Sequence, residues 1–335
     1  MDPVRIGFIG CGRHASLNRL PCVFYAPVEL VGLCDLVEER ARNLGLKIGC
    51  GHVYTDHQRL LADDRLEAVV VAVRPEAFLR VVRDALAAGK HVFMEKPPGD
   101  TLEESREMAS LTEKSGLVVQ VGFNKRFAPA YRRARAIVRE GGLGEVSHYS
   151  GKFSTGRFPP SPGGWQFLRE QAIHQLDLVR YLMGEVAELT ALRNSAGGLE
   201  TYDALLRFAS GAIGVLTSGE HYSWNKPNER VEIAGQGRWL AIDDVIHLTE
   251  HPAIPLGTEP VSGDEPSLLW EPTFAMPGAR SLLLQGYAYE LAAFAEAVRG
   301  QRQEGASYIE DAWKSMQLAR AVHESNGRTV RPADF

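Results

Sequence analysis

Lys96, Glu170, His174 and Asp177 are the side chains whose types and spacing best suit proton-transfer chemistry. A free imidazole titrates at about 6.5, so a histidine exchanges protons near neutrality. Glu170, His174 and Asp177 stand at i, i+4 and i+7 of an expected helix over Phe167–Met183 and share an arc of roughly 60°. Ala172, Ile173, Leu176, Val179 and Met183 fill a different arc and make a core stripe. By spacing alone the polar arc reads first as a solvated helix face. Lys96 lies in Glu95-Lys96-Pro97-Pro98, directly after the apolar run His91–Met94. Ligands on open α/β sheets bind beyond the carboxyl ends of strands, which would aim Lys96 into such a crevice.

A second constellation points to a dinucleotide. Gly10-Cys11-Gly12-Arg13-His14-Ala15 follows the apolar run Val4–Ile9 and fits G-x-G-x-x-G/A. The first glycine permits a tight turn, the second lets the backbone approach a pyrophosphate, and the small third residue allows close helix–strand packing. Pro21 limits the helix opened there to little more than two turns. Asp35 ends the second apolar run, where a carboxylate accepts hydrogen bonds from adenosine ribose hydroxyls and repels a 2′-phosphate. Its bland alternative is a helix cap. No arginine follows directly in Leu36-Val37-Glu38, which favours NAD, while Arg40 keeps NADP open. Cys50-Gly51-His52 with His57 lacks regular ligand spacing, so no metal site is expected.

The elements needed to position these residues follow from the hydrophobic pattern. Val4–Ile9, Val28–Cys34, Ala68–Val73, His91–Met94 and Leu117–Val121 read as buried strands. Helical patterns over Leu36–Leu46, Phe78–Ala88 and Leu102–Ser115 alternate with them, the last two ending at Gly89 and Gly116. That rhythm implies right-handed βαβ units and a parallel sheet. After Val121 it changes: a helix over Pro129–Arg139, a strand over Glu145–Phe153, a Pro/Gly-rich loop over Gly156–Gly164, and then the Phe167–Met183 helix. Ala187–Arg193, Asp203–Phe208, Ala212–Ser218, Glu229–Ala234 and Arg238–Ile242 follow as strands with short turns, which points to an antiparallel sheet. Residues 251–280 read as a long surface excursion, and helices over Tyr287–Arg299 and Tyr308–Ser325 close the chain.

The expected architecture is therefore an α/β domain with a parallel sheet over 1–122 and an α+β domain with a mostly antiparallel open sheet over 123–335. The terminal helices are expected to pack back on the first domain. In 335 residues, 44% hydrophobic and 24% charged residues exclude a disordered or fibrous chain. A net charge of −5 argues against nucleic acid as a partner. Cys11, Cys22, Cys34 and Cys50 show no CxxC spacing and read as reduced thiols of a cytoplasmic protein. No apolar run reaches ~18 residues and no export signal opens the chain, so no membrane association is expected.

In this order the motifs resemble the glucose-fructose oxidoreductase / inositol dehydrogenase / rhizopine-catabolism (Gfo/Idh/MocA) family. The matching pieces are the Gly10-x-Gly12 turn, Asp35, Ala88-Gly89-Lys90-His91-Val92 leading to Glu95-Lys96-Pro97, Gly122-Phe123-Asn124-Lys125-Arg126-Phe127, His174-x-x-Asp177 and the ending Ser325-Asn326-Gly327-Arg328-Thr329-Val330. The resemblance implies an N-terminal Rossmann domain, a C-terminal domain whose open sheet makes a homodimer or homotetramer interface, and NAD(P)-dependent redox chemistry on a sugar or cyclitol hydroxyl. It implies that Lys96 contacts the substrate hydroxyl and the nicotinamide, and that His174 exchanges the hydroxyl proton. Glu170 is then expected to orient His174 or to pair with Lys96. Val73, Arg74 and Glu95 join the cofactor-binding set, and Asn124, Arg126, Trp165 and Asp177 are weaker candidates to line the substrate. Phe153, Tyr222 and Trp224 are further aromatic candidates, since sugar faces stack on rings.

Two departures bear on this. The family often has Asp-x-Gly-x-His where this chain has Glu170-Gln171-Ala172-Ile173-His174, and Thr-Pro-Asn where it has Arg74-Pro75-Glu76. Arg74 suits an acidic or phosphorylated substrate, or a cover over the cofactor. Two competing readings stand beside a sugar dehydrogenase or ketoreductase. One is an NAD-dependent glycosidase working through a transient keto intermediate; the other is a nucleotide-binding subunit that has lost its chemistry.

Overall fold

A computed structural model of the chain describes residues 2–157, 165–253, 267–270 and 280–335. The chain forms two compact units, one of residues 1–127 and 286–316, the other of residues 128–285 and 317–335.

The first unit is built on six parallel strands in the order β3-β2-β1-β4-β5-β6. These are β1 (Val4–Ile9), β2 (Val28–Cys34), β3 (Val53–Tyr54), β4 (Ala68–Val71), β5 (His91–Met94) and β6 (Val119–Val121). Strands β1, β4 and β5 are buried nearly throughout, as a sheet covered on both faces requires. The hydrophobic runs locate five of these strands, but β3 is two residues long and carries no pattern a sequence reading can detect.

The helices are α1 (Glu38–Ile48), α2 (His57–Leu61), α3 (Pro75–Ala87) and α4 (Leu102–Ser115). Helix α1 starts two residues later than its apolar pattern, because Asp35 Oδ1 first accepts the Val37 N–H at 2.9 Å and holds a turn there. Helix α3 starts three residues earlier than expected. Pro75 supplies the helical φ at its first turn and keeps Arg74 extended, which also ends β4 at Val71 rather than Val73.

The second unit carries a sheet of nine strands among the described residues, ordered β14-β13-β12-β11-β7-β10-β9-β8-β15. They are β7 (Val146–Ser154), β8 (Val186–Asn194), β9 (Thr201–Phe208), β10 (Ile213–Gly219), β11 (Asn228–Gly235), β12 (Arg238–Asp243), β13 (His247–His251), β14 (Leu268–Trp270) and β15 (Thr329–Val330). All pairs are antiparallel except β7 with β10. Burial alternates along β9 and β11, so one face meets the core and the other stays open. Helices α5 (Pro129–Arg139) and α7 (Ile173–Met183) cover the inner face, with Tyr131, Leu176 and Val179 packed against Tyr149, Phe208 and Val231.

Two expectations need correction. The stretch 251–280 is not one excursion: β14 lies within it and pairs with β13, while 254–266 and 271–279 lie outside the described residues. The Phe167–Met183 helix is not uniform either. A turn α6 (Trp165–Phe167) runs into a widened π turn over Leu168–Ala172 before α7 begins. Of the Pro/Gly-rich loop, 158–164 also lie outside the described residues.

After α8 (Arg280–Leu284), helix α9 (Tyr287–Val298) belongs to the first unit, as does the start of α10 (Ile309–Ser325). Arg299, at the end of α9, donates to both Glu67 oxygens at 2.7 and 3.1 Å and to the Asp2 and Pro3 carbonyls. Hydrogen bonds from that guanidinium outweigh the carboxyl's partial burial and lower Glu67 to about 2. A depressed carboxyl stabilises the fold at pH values above its unfolded pKa of about 4.3 and loses that contribution as pH falls. Arg299→Ala should therefore lower the unfolding free energy by roughly 1 kcal/mol near neutrality. The difference from wild type, followed by urea unfolding, should close as pH falls from about 4.3 to about 2.

Candidate functional site

In the first unit the site begins at the turn after β1. Gly10 has φ +97, and a Cβ there would sit 2.3 Å from the Ala72 carbonyl oxygen, so only glycine lets β1 and the β4 end approach this closely. Gly12 differs: nothing lies within 4 Å of its missing Cβ. That open space faces a cavity of about 550 Å³ lined by Gly10, Gly12, Asp35, Leu36, Val73 and Arg74, among others. The cradle is the one a bound dinucleotide requires: backbone accessible at the turn, apolar walls at Leu36 and Val37, and guanidinium groups at the rim. Asp35 braces the turn itself, its Oδ2 accepting the Cys11 N–H at 2.8 Å. The Cys11 thiol points inward, and burial above all, with Asp35 nearby, pushes it up to about 12. The segment after the turn is not a regular helix. It passes through a π turn over Ala15–Arg19 into a 3-10 turn over Leu20–Phe24, where Pro21 sits in the first turn.

That irregular segment delivers Arg19 to the interior. Its guanidinium is fully buried between the Glu95 and Glu290 carboxylates, with Nη1 2.5 Å from Glu290 Oε2. Its Cζ stands 4.8 Å from the Phe93 ring centre and 4.7 Å from that of Tyr287, a cation between two aromatic faces. Glu95 thereby becomes a junction. Its Oε2 accepts the Lys96 backbone N–H at 3.2 Å, and its Oε1 stands 3.0 Å from His14 Nε2. Asn18 Nδ2 lies 3.1 Å from His14 Nδ1, an arrangement that leaves the Nε2 proton for Glu95. Burial opposes the charge on Glu95, but Arg19 and His14 more than offset it and hold the carboxyl well below its usual range. None of this was legible locally: Arg19 looks like a surface residue among Leu17, Leu20 and Pro21, and its partner Glu290 is 271 residues away.

In the second unit the polar arc is not a solvated face. Asp177 is 1% exposed and Gln175 0%, while His174 is half-buried. Gln175 Nε2 donates to Glu229 Oε1 at 2.7 Å, and the Tyr131 hydroxyl donates to the same oxygen at 2.9 Å. This buried network fixes the first turn of α7, and with it the backbone at His174. Glu170 lies one turn earlier in the π segment, where its Oε1 meets Arg169 Nη2 at 2.6 Å. Regular i, i+4 geometry between Glu170 and His174, expected from spacing, is replaced by the wider turn.

The remaining candidates separate by environment. Asn124 and Arg126 are buried in the first unit, and Arg126 reaches the Gly305 carbonyl at 3.3 Å and Asp311 at 3.4 Å. In the second unit Phe153 belongs to the core, and Trp165 packs against that core with its ring 5.7 Å from that of His323. Tyr222 and Trp224 are exposed; the Tyr222 hydroxyl accepts from Lys152 Nζ at 2.7 Å, and Trp224 Nε1 donates to the Arg157 carbonyl. Cys50 and His52 form no common centre with His57, whose Nε2 is 2.7 Å from Asp84 Oδ2.

Comparison with known proteins gives a consistent result. Residues 4–123 match the model of the Gfo/Idh/MocA oxidoreductase family, NAD-binding Rossmann fold, and residues 131–241 match that of a Gfo/Idh/MocA C-terminal domain. The chain is 30% identical over 255 residues to an inositol 2-dehydrogenase of Acidothermus cellulolyticus, covering 71% of this chain and 72% of that one. It is 29% identical over 262 residues to a myo-inositol 2-dehydrogenase of Thermotoga maritima, covering 73% and 77%. In fold it is similar to a dehydrogenase from Chromobacterium violaceum, with a TM-score of 0.86 over 96% of this chain and 95% of that one at 24% identity.

The buried ion cluster makes a direct prediction. Arg19→Met should leave two interior carboxylates without their counter-charge and cost roughly 3–5 kcal/mol in chemical denaturation. Arg19→Lys, which keeps the charge and loses the fork, should cost less.

Proposed function

The chain belongs to the Gfo/Idh/MocA oxidoreductase family, and from that premise we propose that it transfers hydride between NAD(H) and a hydroxyl or keto carbon of a sugar, cyclitol or sugar derivative. The observation that carries this reading is the cavity at Gly12, in a chain whose Lys96 and His174 lie in motifs that resemble the family's. We assign the dinucleotide to the first unit and the sugar to the second. The bound nicotinamide supplies the hydride acceptor or donor.

Lys96 hydrogen-bonds the reacting oxygen and stabilises its alkoxide character, a charge-assisted contact that grows as the C–H bond breaks. Glu95 holds the Lys96 backbone for that task through its accepted N–H. His174 takes the hydroxyl proton in oxidation and returns it in reduction. Its place on α7 is set by the Gln175–Glu229 contact beneath it. Asp177 is buried one turn further along the same helix, where it supports the His174 segment rather than meeting solvent. Glu170, held by Arg169, shapes the approach to His174.

We also assign a homodimer through the open face of the nine-stranded sheet. Leu192, Leu205 and Ile213 are each more than half exposed there, on adjacent strands whose outward positions coincide in register. A second copy of the same face would cover this apolar surface.

Incubating the protein with cyclitols, aldoses, ketosugars and glycosides, with NAD⁺ or NADH, tests the proposal by absorbance of reduced nicotinamide and by free-sugar release. Turnover of a polyol or ketose is expected; sugar release without net NADH would transfer the assignment to glycoside cleavage. Lys96→Met and His174→Ala should each lower kcat by roughly 10²–10⁴-fold while NADH still binds. Leu205→Glu should shift the sedimentation coefficient from dimer to monomer.

A further inference from the structure

Glu95 stands between the dinucleotide cavity and the lysine turn, and it is only 5% exposed. Its Oε2 accepts the Lys96 backbone N–H at 3.2 Å, while Oε1 is shared by Arg19 Nε and by His14 Nε2, the latter at 3.0 Å. These partners differ in what can reach them. Arg19 is buried, tied also to Glu290 and closed in by the Phe93 and Tyr287 rings. Of the three, His14 is the one that lines the cavity, with its side chain 44% exposed. A dinucleotide seated over the glycine turn therefore meets His14, and through it the carboxylate that holds Lys96.

The backbone is arranged for this contact. In a regular α-helix, residues five apart point about 140° away from one another, so His14 and Arg19 would diverge. The chain instead makes a π turn over Ala15–Arg19, closed by the Leu20 N–H on the Ala15 carbonyl, which brings residues five apart onto one side. His14 and Arg19 thereby converge on one oxygen of Glu95. Asn18 joins the same side, its Nδ2 3.1 Å from His14 Nδ1, and the Tyr287 ring meets the imidazole edge-on at 6.1 Å between centres. The imidazole is thus held at both nitrogens while one side of it stays open to the cavity. A π turn is less regular than the α-helix it interrupts, and such turns recur at functional sites.

We propose that His14 is a positioning residue for hydride transfer: from the cavity wall it fixes the Glu95 carboxylate, and with it the Lys96 main chain, and a seated dinucleotide tightens that hold. Lys96 remains the group that meets the reacting oxygen, and His14 acts only through Glu95. The inference rests on that reading of Lys96 and adds the route by which the cofactor site prepares the lysine turn.

Hydrogen exchange at the Lys96 amide tests this with no sugar present. His14→Leu removes the donor and keeps the bulk, whereas His14→Gln restores an N–H donor. His14 is exposed and Arg19 keeps Glu95 paired, so both variants should fold as wild type does. In His14→Leu the Lys96 amide should exchange about three- to tenfold faster, the effect of one weakened hydrogen bond, while the Phe93 and Met94 amides of β5 keep their rates. His14→Gln should bring the Lys96 rate back to within about twofold of wild type. NADH should slow exchange at Lys96 in wild type and in His14→Gln, and do so less in His14→Leu. With myo-inositol, or the panel sugar that turns over fastest, and NAD⁺, His14→Leu should lower kcat roughly tenfold or more and change the KM for NAD⁺ less than about threefold, since a misplaced contact costs rate rather than binding. An unchanged Lys96 exchange rate in His14→Leu, or one raised equally across β5, overturns the proposal whatever the turnover. No wild-type turnover of any polyol or ketose counts against the oxidoreductase reading, and the exchange rates still decide whether His14 sets the lysine turn.

Discussion

A guanidinium in a protein interior has to be matched in charge and in hydrogen bonds, and the placement of Arg19 organises the first unit around that requirement. One carboxylate comes from the end of β5, the other from α9, and two aromatic rings close the remaining sides. The constraint reaches the chain leaving β6: a Cβ at Gly122 would meet Arg19 Nη2 at 2.6 Å and Glu95 Oε2 at 3.2 Å. The glycine is needed for space here, its neighbours being the cluster itself. Through Glu95 the same constraint sets the Lys96 backbone and, through His14, touches the wall of the dinucleotide cavity. Phosphate turn, lysine turn and return helix are thereby three views of one electrostatic arrangement.

The second unit solves a similar problem with neutral donors. Glu229 projects from β11 into the core side of the sheet and receives Gln175 and Tyr131 from two helices. Burial first, and the Glu229 charge next, push the Tyr131 phenol well up, so it stays a donor at any working pH. The helix bearing His174 is tied to the sheet by a directional contact, where apolar packing alone would leave its rotation less defined. The π turn just before it widens the helix at Glu170, and the two features together set which groups on this segment face one another.

What could be read from the sequence was what repeats locally. Buried parallel strands are continuous apolar runs, and five of the first unit's strands stand within two residues of those runs. Glycine caps and the G-x-G turn are legible because one residue type serves a specific φ or a close approach. Boundaries moved where a single side chain intervened: Asp35 delays α1, and Pro75 advances α3. The edge strands β3 and β15 are too short to carry a period, and β14 hides in a stretch rich in Pro and Gly. Of the candidate site, Gly10, Asp35, Lys96 and His174 stand out by motif alone. Arg19, Glu290 and Glu229 do not, because their significance lies entirely in partners distant along the chain.

Helix α9 and the opening turns of α10 belong to the unit begun by β1, with most of the other unit interposed in sequence. On a ribosome this imposes an order. The first 127 residues emerge with Arg19 and one carboxylate in hand, but Glu290, Tyr287 and Arg299 are still to be synthesised. Until they arrive, Arg19 lacks one of its two carboxylates and one of its two rings, and Glu67 lacks its clasp. The first unit can accordingly be completed only after residues 286–316 have left the exit tunnel.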